Sequence, residues 1–413
     1  MGVIAHWRNR AVLWAALLLA FSAALHAEPF ERPPTFETGK LKGIRRAGEN
    51  YNIRNPVRSD GLYRIYTLRT PYGDFTVPSD QMLRMRINEL AALAQLEKMS
   101  QSEQFSKALL LAGLSPLTYA GKFIADPART LHDTFAGVGT FLDSVGAGAA
   151  HAGKTQDDVA AGLLGISNER RQLAAKLGVD PYTDFEPLSA KLTQLSEAAA
   201  LGELAVTGAM FAIPGAAGIV VSNLSTANTL GDLRIDELAR SYTASQIFEL
   251  NRQRLAAMGI DPALIESLLT NRRYTPIDLA VMVAALDSMN GVGNRALFVR
   301  RAAAANGRAQ AYAIRKHAEM AAMAHRGTTF ARFVPLGGYA FNQTRDGAIV
   351  GMMPVDALAW TAATGKALGD AAADLGRAAP GGNAELRITG TATGLAKQRL
   401  EGLGWRLVEN SKL

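Results

Sequence analysis

The residues of this chain whose types and spacing could do chemistry are few, and the sharpest set is a glycine loop ending in a lysine. Gly148-Ala149-Ala150-His151-Ala152-Gly153-Lys154-Thr155 satisfies G-x-x-x-x-G-K-[ST] in full. In a phosphate-binding loop of that pattern, glycines let backbone N–H groups close around phosphate oxygens, the lysine neutralises charge and the threonine reaches magnesium. Such a loop follows a buried strand. Residues 131–146 read instead as a helix opened by Asp126-Pro127. The apolar run that ends on an acid, residues 279–287, is opened by Thr275-Pro276 and also reads as a capped helix. Nucleotide binding through residues 148–155 is therefore an alternative, not the leading expectation.

Other catalytic chemistry is thin. His317, His325 and Glu319 resemble a metal-binding helix, but the two imidazoles would stand about 12 Å apart along a helix axis, too far for one ion. Cysteine is absent, which excludes thiol catalysis and cysteine zinc sites, and no G-x-S-x-G elbow occurs. No catalytic residue, metal or cofactor is assigned. A periplasmic hydrolase assembled from scattered residues stays open as a second function class.

Charge gives the leading expectation. Arg295, Arg300, Arg301, Arg308, Arg315, Lys316, Arg326 and Arg332 stand against one acid, Glu319, within one stretch of chain. Arg301, Arg308 and Arg315 recur every seven residues and so would share a helix face, unless Asn306-Gly307 breaks it. They are the expected contacts to an anionic partner, either a membrane surface or another envelope polyanion. Nucleic acid is not expected.

The elements that must position these residues begin with an export signal. Residues 1–27 carry Arg8 and Arg10, no acid, an apolar run over 11–21 and the ending Leu25-His26-Ala27. This is the layout of a cleavable signal peptide and predicts a periplasmic protein. Residues 28–60, rich in proline and charge, read as an extended or partly disordered arm. Residues 61–290 read as a hairpin at 62–78 followed by a helical body. In that body Ser79 or Asp80 opens a helix to about Met99, with Leu83, Ile87, Leu90 and Ala94 on one face.

Two helix corners look alike: Leu177-Gly178-Val179-Asp180-Pro181 and Met258-Gly259-Ile260-Asp261-Pro262, each ending one helix at glycine and starting the next at Asp-Pro. The uncharged segment 204–221 touches the lower length bound for a membrane span. Its Pro214 and glycines favour a buried segment. Residues 291–378 read as the basic helix, a hairpin around Arg345-Asp346-Gly347, and a helix carrying Asp356 and Trp360 one turn apart. Residues 384–411 read as a β-α-β unit that must dock on that hairpin to be stable. The fold class expected is mainly α, a bundle of short helices with small β-hairpin patches near both ends. The function expected is that of a non-enzymatic, membrane-associated cell-envelope protein.

Overall fold

The computed structural model describes residues 30–100, 166–200, 229–230, 233–378 and 383–412. The signal-like stretch 1–27, the phosphate-loop match 148–155 and the apolar segment 204–221 lie outside them. Among the described residues there are 11 α-helices and two sizeable sheets, so the architecture is mixed α/β rather than a bundle with hairpin patches.

The first sheet is an antiparallel half-barrel built from β1 (Thr35–Phe36), β2 (Ala47–Gly48), β3 (Tyr51–Ile53), β4 (Val57–Ser59), β5 (Arg64–Thr70) and β6 (Gly73–Pro78). The β5–β6 hairpin is the one expected at 62–78, registered Ile65 to Pro78 through Thr70 to Gly73. The arm of residues 28–60 was expected to stay extended or partly disordered, but from β1 onward it supplies the other four strands. Ile53 and Val57 are buried and Phe36 packs against the same core. These few apolar contacts, together with pairing to β5, offset the poor local strand propensity.

Ser79, at φ 72°, turns the chain into α1 (Asp80–Ser100), which lays Leu83, Leu90, Leu93 and Leu96 on the sheet. The helices α2 (Asn168–Leu177) and α3 (Glu186–Ala200) complete this first core.

The helical body follows β7 (Thr229–Leu230) and β8 (Leu233–Arg234). It comprises α4 (Ile235–Ser241), α5 (Ala244–Ala257), α6 (Pro262–Leu269), α7 (Pro276–Ser288), α8 (Arg295–Ala303) and α9 (Arg308–His325). Its axis is α7, in which every residue from Pro276 to Leu286 is buried. A helix apolar around its whole circumference belongs inside other helices, and α5 and α9 pack on it. Thr275 caps α7 as its spacing predicts, with a reciprocal bond to Asp278, and Asp261-Pro262 opens α6.

Of the two similar corners, both glycines are left-handed, Gly178 at 67° and Gly259 at 75°, and Val179 and Ile260 are both buried. They then diverge. Asp180-Pro181 opens no helix, because Asp180 is spent on a turn at Tyr182 and on Thr275.

The second sheet runs β15-β13-β11-β10-β9, formed by β9 (Phe330–Leu336), β10 (Tyr339–Thr344), β11 (Ile349–Met353), β13 (Ala384–Ile388) and β15 (Trp405–Val408). Strands β11, β13 and β15 are parallel, and the hairpin of β9 and β10 is antiparallel. The crossovers are α10 (Ala362–Ala378) and α11 (Gly394–Gly402). The expected C-terminal strand-helix-strand is β13-α11-β15, docked on the preceding hairpin through β11. Val350 and Met352 of β11 face the helical body, while Ile349 and Met353 face α10 and α11, the period-2 alternation of a sheet buried on both sides.

Asp356 and Trp360, expected one turn apart on a helix, lie instead beside β12 (Ala357–Leu358), which pairs with β14 (Thr391–Ala392). Asp356 is held outside helical geometry by two backbone donors, Arg64 N of β5 at 3.1 Å and Asp80 N at the start of α1 at 3.0 Å. The approach is close enough that a Cβ on Gly390 would fall 1.9 Å from the Asp356 carbonyl oxygen.

Candidate functional site

The three arginines expected on one exposed helix face are divided by the turn at Asn306-Gly307: Arg301 is on α8, Arg308 and Arg315 on α9. Arg308 and Arg315 meet again, but inside the protein and on a carboxylate. Asp278, in the first turn of α7, accepts from Arg308 Nη1 at 2.6 Å and from Arg315 Nη1 at 2.8 Å. Arg315 is only 3% exposed. Their charge is matched within the chain, so the exposed phosphate-binding stripe expected from the spacing does not form.

These pairs belong to a line of alternating charges that joins four parts of the fold. Lys316 and Arg315 both bond Glu319, at 3.0 and 2.9 Å. Arg315 and Arg308 share Asp278, and Arg308 reaches Asp184 at 3.3 Å. Arg86 spans Asp184 at 3.5 Å and Glu89 at 2.8 Å. Thr183 donates to the other oxygen of Glu89, and Thr275 Oγ1 donates to Asp180 at 2.6 Å. Helices α1, α7 and α9 and the loop between α2 and α3 are thereby tied together. Glu319, the one acid in the basic stretch, pairs with two of its cations, and Asp278 supplies the second negative charge.

The line is not uniformly ionised. Burial pushes Glu89 up to about 7 against the pull of Arg86, and burial with the nearby charge of Asp278 raises Asp180 to about 6. Asp278 goes the other way. Burial opposes its charge, but Arg308 and Arg315 hold it at about 2. Chemically this is a set of carboxylates facing a cavity of about 20 Å³, of which Glu89 and Asp180 have protonation steps towards neutrality. Each carboxylate is already engaged by donors of the chain, which is how a buried ionic cluster satisfies itself.

Arg301 goes elsewhere. Its guanidinium lies 4.2 Å from the Tyr339 ring centroid, and it lines a separate cavity with Tyr63, His317 and Tyr339. Of the two histidines considered for metal, His325 Nδ1 accepts from Phe330 N at 3.1 Å and His317 is 5% exposed. Among the described residues no group of His, Cys, Asp or Glu is arranged to hold a metal ion.

Arg300, Arg326 and Arg332 of the basic stretch stay exposed, and a second group of exposed basic side chains lies on the first sheet. The register places Asn52 opposite Arg69 and Arg58 opposite Ile65, and Arg54 N bonds Thr67 O. Arg54, Arg58 and Arg69 therefore follow one another along the outer face of β5, with Thr67 between them. Lys42, Arg45 and Arg46 lie exposed on the adjoining loop. Among the described residues the exposed acids here are Glu37, paired to Lys40 at 3.0 Å, Glu49, 3.6 Å from Lys98, and Asp74 opposite Arg69. Sequence reading passed over these arginines because they are scattered across four short segments that only pairing brings together. No protein-family profile, curated protein or solved structure matches this chain.

Proposed function

We propose that this is a non-enzymatic, exported cell-envelope protein that associates peripherally with an anionic membrane surface through the outer face of its first sheet. The observation that carries the reading is the partition of charge. The arginines of α9 are matched inside, whereas Arg54, Arg58 and Arg69 are presented together on a sheet. The large apolar side chains exposed among the described residues are Phe30 and Tyr242, and neither belongs to that face. Attachment is then electrostatic, without insertion, and among the described residues no helix is long and apolar enough to cross a membrane.

A hydrolase is the second reading, favoured by the near-neutral protonation of Glu89 and Asp180. It ranks lower because their oxygens are already bonded within the chain.

Binding to anionic vesicles is expected to fall steeply with salt, since exposed charges are screened over about 10 Å at 0.1 M. Arg54→Gln with Arg58→Gln is expected to weaken it by roughly 1 kcal/mol per charge. Co-sedimentation that is indifferent to salt, or equal for neutral and anionic lipid, counts against the reading. Export is checked separately. N-terminal sequencing of the mature protein is expected to begin at Glu28, and a start at Met1 or Gly2 contradicts it.

A further inference from the structure

A cleft of about 680 Å³ opens at the amino-terminal ends of β11 and β13, with the turn between β10 and β11 and the chain after α9 at its sides. That is the size range of small-molecule sites. Its floor comes from one face of the second sheet. The register aligns Val350 with Glu385, Glu385 with Arg406, and Met352 with Arg387, so these side chains stand on the same face. Parallel sheets are as a rule apolar on both faces, and β11 keeps to it with Val350 and Met352. On β13 and β15 that face carries Glu385, Arg387 and Arg406 instead, and all three line the cleft.

Glu385 holds two guanidiniums in place. It is 7% exposed, and its carboxylate accepts from Arg387 Nε and pairs with Arg406 Nη2. Each arginine spends one nitrogen on it, and among the described residues the other N–H groups of both make no hydrogen bond. Arg345 brings a third guanidinium from the turn between β10 and β11. The acids that line the cleft are Glu385 and Asp346, and Asp346 accepts the hydroxyl of Thr344. Three arginines therefore stand against two carboxylates, both already engaged. The surplus is felt at His325, whose imidazole is held below its usual range by burial and then by the charges of Arg345 and Arg295.

We propose that this cleft binds a small organic anion, whose carboxylate or phosphate oxygens are taken by Arg345, Arg387 and Arg406. A guanidinium suits either group because it donates two parallel N–H bonds to a pair of oxygens. Two of the three are already positioned by Glu385, which lowers the cost of ordering them when the ligand arrives. The site is separate from the outer face of the first sheet and does not depend on membrane attachment.

Isothermal titration of the full chain with citrate and with glycerophosphate tests it, with glycerol as the neutral control. Saturable binding of at least one of the two anions is expected, and none of glycerol. Arg345→Gln and Arg406→Gln, which change exposed side chains, are each expected to weaken that binding by about tenfold or more. Arg54→Gln with Arg58→Gln is expected to leave it unchanged, which separates this site from the membrane face. Binding of citrate alone, or of glycerophosphate alone, supports the site and assigns its anion as carboxylate or phosphate. Failure of both anions to bind, or unchanged affinity in Arg345→Gln and Arg406→Gln, overturns the proposal.

Discussion

Asp278→Ala lowers the free energy of unfolding by about 3–5 kcal/mol, the expected penalty for removing one partner from a buried ion pair. The effect is large because this carboxylate does three things at once. It accepts from Arg308 and Arg315, and it takes the backbone N–H of Thr275 in the reciprocal cap of α7. Glu319 still faces Arg315 and Asp184 still faces Arg308 after the change, so the line is broken rather than dissolved. The comparison variant is Asp370→Ala, whose partner Lys366 is 75% exposed and whose loss is expected to be barely measurable. Urea unfolding reads both. An Asp278→Ala protein as stable as the Asp370→Ala control would mean that the buried line contributes nothing.

The second large effect is a stability that falls as pH rises towards neutrality. Glu89 binds its proton more tightly in the folded chain, at about 7 against 4.5 in the unfolded one, and Asp180 does so at about 6 against 3.8. Between each pair of values the folded state carries a proton that the unfolded state has released. Unfolding free energy therefore decreases with pH from about 4 to 7. For Glu89 alone the span corresponds to about 3 kcal/mol. Asp278 supplies the opposite limb, because its stabilising charge is lost as pH drops from 3.8 towards 2. Maximum stability is accordingly expected on the mildly acidic side. Glu89→Gln, which imitates the protonated carboxyl, is expected to flatten the decline and to be the more stable protein above neutrality. Chemical denaturation across the range checks the sign, and a wild-type protein that grows more stable from mild acid to mild base refutes it.

Local capping made much of this fold legible. The hairpin at 62–78, the start of α1, Thr275-Pro276, Asp261-Pro262 and the terminal β13-α11-β15 are each determined within a few residues. What was illegible depends on partners far along the chain. The three-residue strands β3 and β4 of the arm pair with β5, and the two-residue strands β1 and β2 pair in turn with β4 and β3. Asp180-Pro181 looks like a helix start, but Thr275, 95 residues away, claims the Asp180 carboxylate. The seven-residue spacing of Arg301, Arg308 and Arg315 was visible, yet spacing does not say whether a helix face meets water or an acid. Asp278 decides that question for two of them, from another helix. The cavity that Arg301 lines with Tyr63, His317 and Tyr339 has no local signal, since it follows from packing between α8, α9 and β11.

Asp356 also has a bearing on when the chain can fold. Its bonds to Arg64 and Asp80 close loops of 292 and 276 residues, and Glu31 bonds Trp360 and Thr393 across 329 and 362. Contacts of such sequence separation slow folding, because the loop must be closed before the contact contributes. During synthesis the first sheet therefore waits for nearly the whole polypeptide before its last partners arrive. Until then the backbone N–H groups of Arg64 and Asp80 and the carbonyls of Gly61 and Leu62 lack these partners, and a chain stopped short of Asp356 would leave them unanswered. Final assembly is a late event, set by the emergence of the last sixty or so residues rather than by the stability of either sheet.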